Sequence, residues 1–229
     1  MTISLFVTDT DTGCGKTFVC CEILNHLGSQ GLDVVGLKPI ASGADLKNGC
    51  LQNDDVKLLH KNSNIDIKEH DVCRYIFPEP CSPHIASSIN NTAIETDEIC
   101  KFVNDFKNKS DLVIVEGIGG WHVPINSEEM VCDLAVKLDI PVILVISNKL
   151  GCLNHASLTL EAILKSGVQL FGWVLNRLTN DIVAAGAVES SLEKIMGSAP
   201  VLTIDFDHQS ADPVQFEVLK KLVWSNSFD

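Results

Sequence analysis

The chain has 229 residues, with 17 Lys and Arg against 30 Asp and Glu, a formal net charge of −13, and 45% hydrophobic to 21% charged residues. That length and balance suit one globular domain over residues 1–229 with a real hydrophobic core, and the negative field argues against nucleic acid or an anionic membrane surface as a partner. A small anionic ligand held by a few local cations is not excluded. The longest apolar runs, such as Pro141 to Ile146, fall far short of the ~20 residues that span a bilayer, and nothing after Met1 reads as a signal peptide. The nine cysteines are scattered, with no CxxC and no zinc spacing. They read as reduced thiols used as small core residues in a cytoplasmic protein.

In chain order, Ile3 to Thr8 is a short apolar strand that runs into the loop Asp9 to Cys14 and then into Gly15-Lys16-Thr17, which opens a helix reaching Gln30. A phosphate-binding loop needs this order: backbone N–H groups and the helix N-terminus face the phosphates, Lys16 neutralises their oxygens, and the Thr17 hydroxyl reaches Mg²⁺. The strict GxxxxGK[ST] pattern fails, because Thr10 stands where its first glycine belongs. A plain helix start is the competing reading.

A second strand, Val34 to Lys38, ends in Lys38-Pro39-Ile40-Ala41-Ser42-Gly43. Ligands of doubly wound sheets bind at the carboxyl ends of strands, so Lys38 could stabilise transferring phosphoryl charge while Ser42 positions a substrate. Alternatively, Lys38 is a solvated lysine before a turn proline. Residues Ala44 to Asn91 are polar and carry Pro78, Pro80 and Pro83; they predict loops with one short helix at Asp54 to His60. Asp55 in that helix is either a metal carboxylate or an exposed turn residue.

Helix Glu95 to Asn108 leads to strand Leu112 to Glu116, followed by Gly117-Ile118-Gly119-Gly120. P-loop proteins place a metal carboxylate at the end of such a strand, and the glycines allow close backbone approach. A carboxylate capping the next turn is the bland alternative for Glu116. Helix Val131 to Leu138, strand Val142 to Ser147, helix Asn154 to Ser166, strand Leu170 to Asn176, helix Ile182 to Met196 and strand Val201 to Ile204 complete the alternation. Ala156, Leu158, Leu160, Ile163 and Leu164 mark the apolar face of the Asn154 helix. His84 and His155 read as structural. Continuous apolar strands alternating with helices predict an α/β fold: one doubly wound, mainly parallel sheet with helices on both faces.

Taken together, Thr8 to Thr17, Lys38 to Gly43, Pro80-Cys-Ser-Pro-His84, Val115 to Trp121 and Lys149-Leu-Gly-Cys-Leu-Asn-His155 resemble the dethiobiotin synthetase family in kind and order, up to about Asn176. The resemblance implies an ATP- and Mg²⁺-dependent enzyme that closes a ureido ring on 7,8-diaminononanoate with CO₂, through a carbamate and a carbamic–phosphoric anhydride. It assigns Thr12, Gly13, Cys14, Gly15 and Lys16 to the phosphates, and Thr17, Asp55 and Glu116 to Mg²⁺. Lys16 and Lys38 become catalytic, Glu116, Gly117, Ile118 and Gly119 line the nucleotide side, and Asn176 takes the adenine-reading position. Ser42 holds the substrate. The implied homodimer brings the helix start Gly151, Cys152, Leu153 and Asn154 of the second copy to the substrate carboxylate.

The chain departs from that family at Asp9, which replaces a small residue, and at Gly13 and Cys14, which replace a commonly acidic or polar residue and a valine. The segment Asp205-Phe206-Asp207 lacks a proline often found there. An inward Asp9 would lower ATP affinity, whereas an outward one would leave the loop intact. A regulatory P-loop ATPase of the partition or septum-site type is the alternative function. Asp11 stands where that class carries a signature lysine, which counts against it.

Overall fold

The computed structural model describes residues 2–179 and 185–206, together with 216 and 220. In chain order the elements are β1 (Ile3–Asp9), α1 (Lys16–Ser29), β2 (Val34–Leu37), β3 (Ile40–Ala41), β4 (Asp45–Lys47), β5 (Cys50–Gln52), α2 (Asp54–Asn62), β6 (Tyr75–Ile76), α3 (Pro83–Ile89) and α4 (Thr96–Asn104). They continue with β7 (Leu112–Glu116), α5 (Val131–Leu138), β8 (Val142–Ser147), α6 (Cys152–Ser166), β9 (Leu170–Asn176), α7 (Ala185–Met196) and β10 (Leu202–Ile204). The expected helix start at 182–184 and residue Asp207 lie outside the described residues.

Six strands form one parallel sheet in the order β10-β9-β8-β1-β7-β2. Every residue of β2, β7 and β8 is buried, as strands covered on both faces must be. Alternation along β1 feeds two cores. Leu5 and Val7 join Val19, Ile23 and Leu24 of α1 and Val56 and Leu59 of α2 on one face. Phe6 joins Ile99, Leu134, Ala156 and Leu192 from α4, α5, α6 and α7 on the other. Helices therefore cover both faces, and the sheet is doubly wound as expected. The chain leaves β1 toward β2 but leaves β8 toward β9, so the order reverses around β1. Its carboxyl end is where such folds open a ligand crevice.

The 44–91 stretch is more structured than its polarity suggests. Besides α2 it holds the β4–β5 hairpin, helix α3 begun by Pro83 at its first position, and β6 paired in parallel with β3. Proline at a helix N-terminus starts rather than breaks a helix, so Pro83 is an initiator here. On α6 the buried stripe is Cys152, Ala156 and Ile163 at helical spacing, whereas Leu158 and Leu164 are exposed. On the helical wheel Leu158 lies about 140° and Leu164 about 100° from the middle of that stripe. The cysteines are all free, and four of them are buried: Cys14, Cys20, Cys21 and Cys152. Burial pushes the Cys21 and Cys73 thiols up to about 12, which keeps them protonated and inert. Cys50 is exposed, so the core reading does not extend to it.

Candidate active site

Three chain crossings build the site at the carboxyl ends of β1, β2 and β7. The loop after β1 turns back through Gly13 and Gly15, both in the left-handed region, and Gly15 caps α1 at φ 86°. A Cβ on Gly15 would collide with Asn176 Nδ2. Asn176, at the end of β9, donates from that nitrogen to the Cys14 carbonyl at 2.9 Å and so props the loop from beneath. Cys14 itself turns inward, its sulfur 3.3 Å from the Ser147 hydroxyl.

Lys16 follows as the first residue of α1. Its Nζ lies 2.5 Å from Asp9 Oδ2 and donates to the Gly119 carbonyl at 3.2 Å. Thr17 Oγ1 donates to Glu116 Oε1 at 2.9 Å. Lys38, carried just past β2, donates to Glu116 Oε1 and to the Gly117 carbonyl, and pairs with Asp55 Oδ2 at 3.0 Å. Burial opposes charge on Lys38, but Glu116 and Asp55 outweigh it and hold its ammonium above the ordinary lysine range. Asp55 is likewise partly desolvated, yet the nearby Lys38 leaves its carboxyl below the ordinary value.

These groups line a cleft of about 510 Å³. Thr12, Gly13, Gly15, Lys16, Thr17, Lys38, Ser42, Asp55, Glu116, Ile118 and Gly119 all face it, so three separate sequence motifs meet there. Cys14, Gly117 and Asn176 do not line it with side chains. Cys14 and Asn176 support the loop, and Gly117 offers its carbonyl to Lys38. Gly151, Cys152, Leu153 and Asn154 lie at the start of α6 and do not line this cleft within one copy of the chain. His84 Nδ1 sits 3.3 Å from the Pro124 carbonyl, a structural contact outside the cleft.

Sequence reasoning missed Phe18 and Leu58, which give the cleft an apolar wall, and it left Asp9 open. Asp9 points inward and is fully buried. The signal was present: Asp9 continues the parity of Leu5 and Val7, which face α1. Desolvation raises its carboxyl to about 6 even though Lys16 works against the rise.

Three carboxylates thus face two ammonium groups. Glu116 Oε2 is buried with no hydrogen-bond partner among the described residues. That surplus of oxygen donors, with the Thr17 hydroxyl beside it, suits a hard divalent cation. Among the described residues no group of three His, Cys, Asp or Glu is placed to hold a metal by itself. A cation here would draw its remaining ligands from phosphate oxygens and water, as Mg²⁺ commonly does.

A parallel sheet reversing around β1, a glycine-turned loop closing on a helix N-terminus, and Lys16-Thr17 opposite a strand-end glutamate define a P-loop nucleotide-binding protein. A family model described as an AAA domain matches residues 4–213. The chain is 38% identical over 175 residues to the ATP-dependent dethiobiotin synthetase of Aliivibrio fischeri, covering 76% of this chain and 77% of that protein. It is 36% identical over 202 residues to that of Salmonella typhi, covering 88% of each. The chain belongs to the ATP-dependent dethiobiotin synthetase family and is an enzyme of the ligase class. Among solved structures, the septum site-determining protein MinD of Pyrococcus horikoshii superposes with a TM-score of 0.56 at 15% identity, covering 100% of this chain and 97% of that one. A ParA family ATPase from Chlorobium tepidum gives 0.54 at 14%, covering 100% and 93%. At such identities these two share the fold alone. No helix among the described residues is long and apolar enough to cross a membrane.

Proposed function

We propose that this cleft binds ATP with Mg²⁺ and makes dethiobiotin from 7,8-diaminononanoate and CO₂, a ring-closing step of biotin synthesis. One observation carries the reading: Lys16, Thr17, Lys38, Asp55 and Glu116 converge on a single cleft from four separate segments of the chain. A protein that only bound nucleotide would have no use for Lys38 and Ser42 at its phosphate end.

One amine of the diamine adds to CO₂ and loses a proton, giving a carbamate. A carbamate oxygen attacks the γ-phosphorus of ATP as ADP leaves, which forms the carbamic–phosphoric anhydride. The second amine then attacks the carbonyl carbon, loses a proton and expels phosphate, closing the ring. Each step builds negative charge on oxygen, and this chain answers with fixed cations rather than with a strong base. Lys16 faces the β/γ phosphates. Lys38, kept charged by Glu116 and Asp55, faces the transferring group and the carbamate. Ser42 contacts the diamine side. Thr17, Asp55 and Glu116 would hold Mg²⁺, which when bound neutralises and orients the terminal phosphates. Asn176 holds the Cys14 carbonyl through its amide nitrogen and, at the adenine-reading position, would act on the nucleotide beside that loop.

The α6 start, which does not line the cleft in one copy, fits a homodimer in which the second copy's Gly151 to Asn154 receives the substrate carboxylate at the helix N-terminus. Exposed Leu150, Leu158 and Leu164 on and beside α6 support that reading. Asp11 is ion-paired with Lys149, so the position where partition and septum-site ATPases carry a lysine is occupied by an anion that is already neutralised. We place the enzyme in the cytoplasm.

The test is an assay with ATP, Mg²⁺, bicarbonate and 7,8-diaminononanoate, following ADP and a cyclic urea. ADP formation should require the diamine. Hydrolysis that ignores the diamine would assign the chain to the regulatory ATPases, and no turnover at all would leave a nucleotide-binding module.

A further inference from the structure

Asp9 has no part in the chemistry set out above, yet it occupies the most sensitive place in the site. Its Oδ2 accepts from Lys16 Nζ at 2.5 Å, its Oδ1 is buried without a partner among the described residues, and its side chain is fully shielded from solvent. The charged groups facing it are Lys16 from α1, Lys38 from the end of β2, Glu116 from β7 and Lys149 beyond β8. An incoming polyphosphate needs the same Lys16 Nζ that Asp9 already holds. One ammonium cannot neutralise both, and a dry carboxylate left beside phosphate oxygens would meet like charge at short range.

We propose that Asp9 is an internal counter-anion for the phosphate-binding lysine, and that nucleotide binding releases Lys16 from it by protonating Asp9 from solvent. The balance is simple. A Lys16–Asp9 ion pair is exchanged for a Lys16–phosphate contact, one solvent proton forms an O–H bond on the Asp9 carboxyl, and Lys16 stays an ammonium throughout. Oδ1 or Oδ2 then carries a proton instead of an uncompensated charge.

The direction follows from the groups around it. Burial already lifts the free carboxyl to about 6 against the pull of Lys16. Losing that pull to the phosphates, and gaining their negative charge nearby, moves it further the same way. The nucleotide-bound form therefore holds the proton more tightly, and binding weakens as pH rises from about 6 through the value of the complex. Within that window affinity falls by up to about tenfold per pH unit. This inference rests on the reading of the cleft as an ATP site.

The experiment is calorimetric titration of ADP, without added metal, into the native chain and into Asp9→Asn. Two buffers of different ionisation enthalpy at pH 7.0 count the protons taken up, and the dissociation constant is followed from pH 6.5 to 8. The nucleotide's own protonation is common to both chains and cancels in the comparison. The native chain should take up close to one proton more than Asp9→Asn, and its dissociation constant should rise at least about fivefold more across the range. Asp9→Asn should also bind ADP more tightly at pH 8. Equal proton uptake with parallel pH profiles would overturn the proposal, as would tighter binding by Asp9→Asn without a difference in protons. Thermal melting checks that the variant folds, and Asp9→Gly serves the same comparison if it does not. If ADP binds neither folded chain, the nucleotide reading itself fails, an outcome distinct from loss of the proton linkage alone.

Discussion

Thr17 Oγ1 donates to Glu116 Oε1 at 2.9 Å, so the first turn of α1 is tied to the end of β7 across 99 positions of sequence. Glu116 Oε1 also accepts from Lys38, while its Oε2 is buried without a partner among the described residues. One carboxylate therefore registers the phosphate-binding helix, the proposed catalytic lysine and the proposed metal position against one another. Glu116→Gln keeps the shape but removes the charge. We expect it to lower ADP formation by at least about tenfold and to weaken the response of activity to Mg²⁺. Unchanged Mg²⁺ dependence, measured by titrating the metal at fixed ATP, would remove Glu116 from the metal's surroundings.

In the proposed mechanism Lys38 acts on the charge that builds during transfer rather than on ATP bound at rest. Lys38→Ala should reduce kcat by at least about a hundredfold while changing ADP affinity by less than about threefold. Steady-state kinetics beside a direct ADP titration separates the two. Comparable losses in both would make Lys38 a structural partner of Glu116 and Asp55.

Gly15 and Asn176 form one mechanical unit. Gly15→Ala puts a side chain at φ 86° and into Asn176 Nδ2, where the backbone conformation alone costs about 1–2 kcal/mol. Nucleotide affinity should fall at least about tenfold. Asn176→Ala leaves the buried Cys14 carbonyl unpaired, at a cost of about 1–3 kcal/mol, and should lower both the melting temperature and ADP affinity. A variant that loses neither, by melting and titration, would show that the loop does not depend on this prop.

Asp9 also sets a pH dependence of stability. Its folded-state value is raised from 3.8 to about 6, so the folded chain binds this proton more tightly than the unfolded chain. The stabilisation that protonation brings is fully present below about 4 and is lost as pH rises through about 6. Asp9→Asn lacks this loss. It should be about as stable as the native chain near pH 4 and more stable by up to about 3 kcal/mol above pH 6.5, the value of that shift at 1.36 kcal/mol per unit. Urea melts at the two pH values check it; a constant difference between the chains would contradict the raised value.

Much of this protein was legible in one dimension. Buried parallel strands announce themselves as continuous apolar runs, so β1, β7, β8 and β9 were found with bounds close to those observed. The phosphate loop, Lys38, Ser42, Asp55 and Glu116 could be named because each sits at a strand end or helix start, where local chemistry marks it. The hairpin of β4 and β5 and the helix α3 were not legible. They are short, polar segments with weak period, and Pro83 marks a helix start only if the chain around it is already positioned.

What the sequence by itself determined was the sheet's composition, the chemical kind of the site and the family, because those rest on residue type and order. Only the tertiary structure decided which way Asp9 points and what it touches. A strand fixes the side from which a residue emerges, but whether that side holds solvent, a helix or an ammonium depends on elements brought there from elsewhere. Here α1 delivers Lys16 to within 2.5 Å of a carboxylate that the surrounding elements have sealed from water. Burial and pairing are properties of the assembled core, and they turn one unusual residue at the mouth of a familiar loop into the most consequential carboxylate in the site.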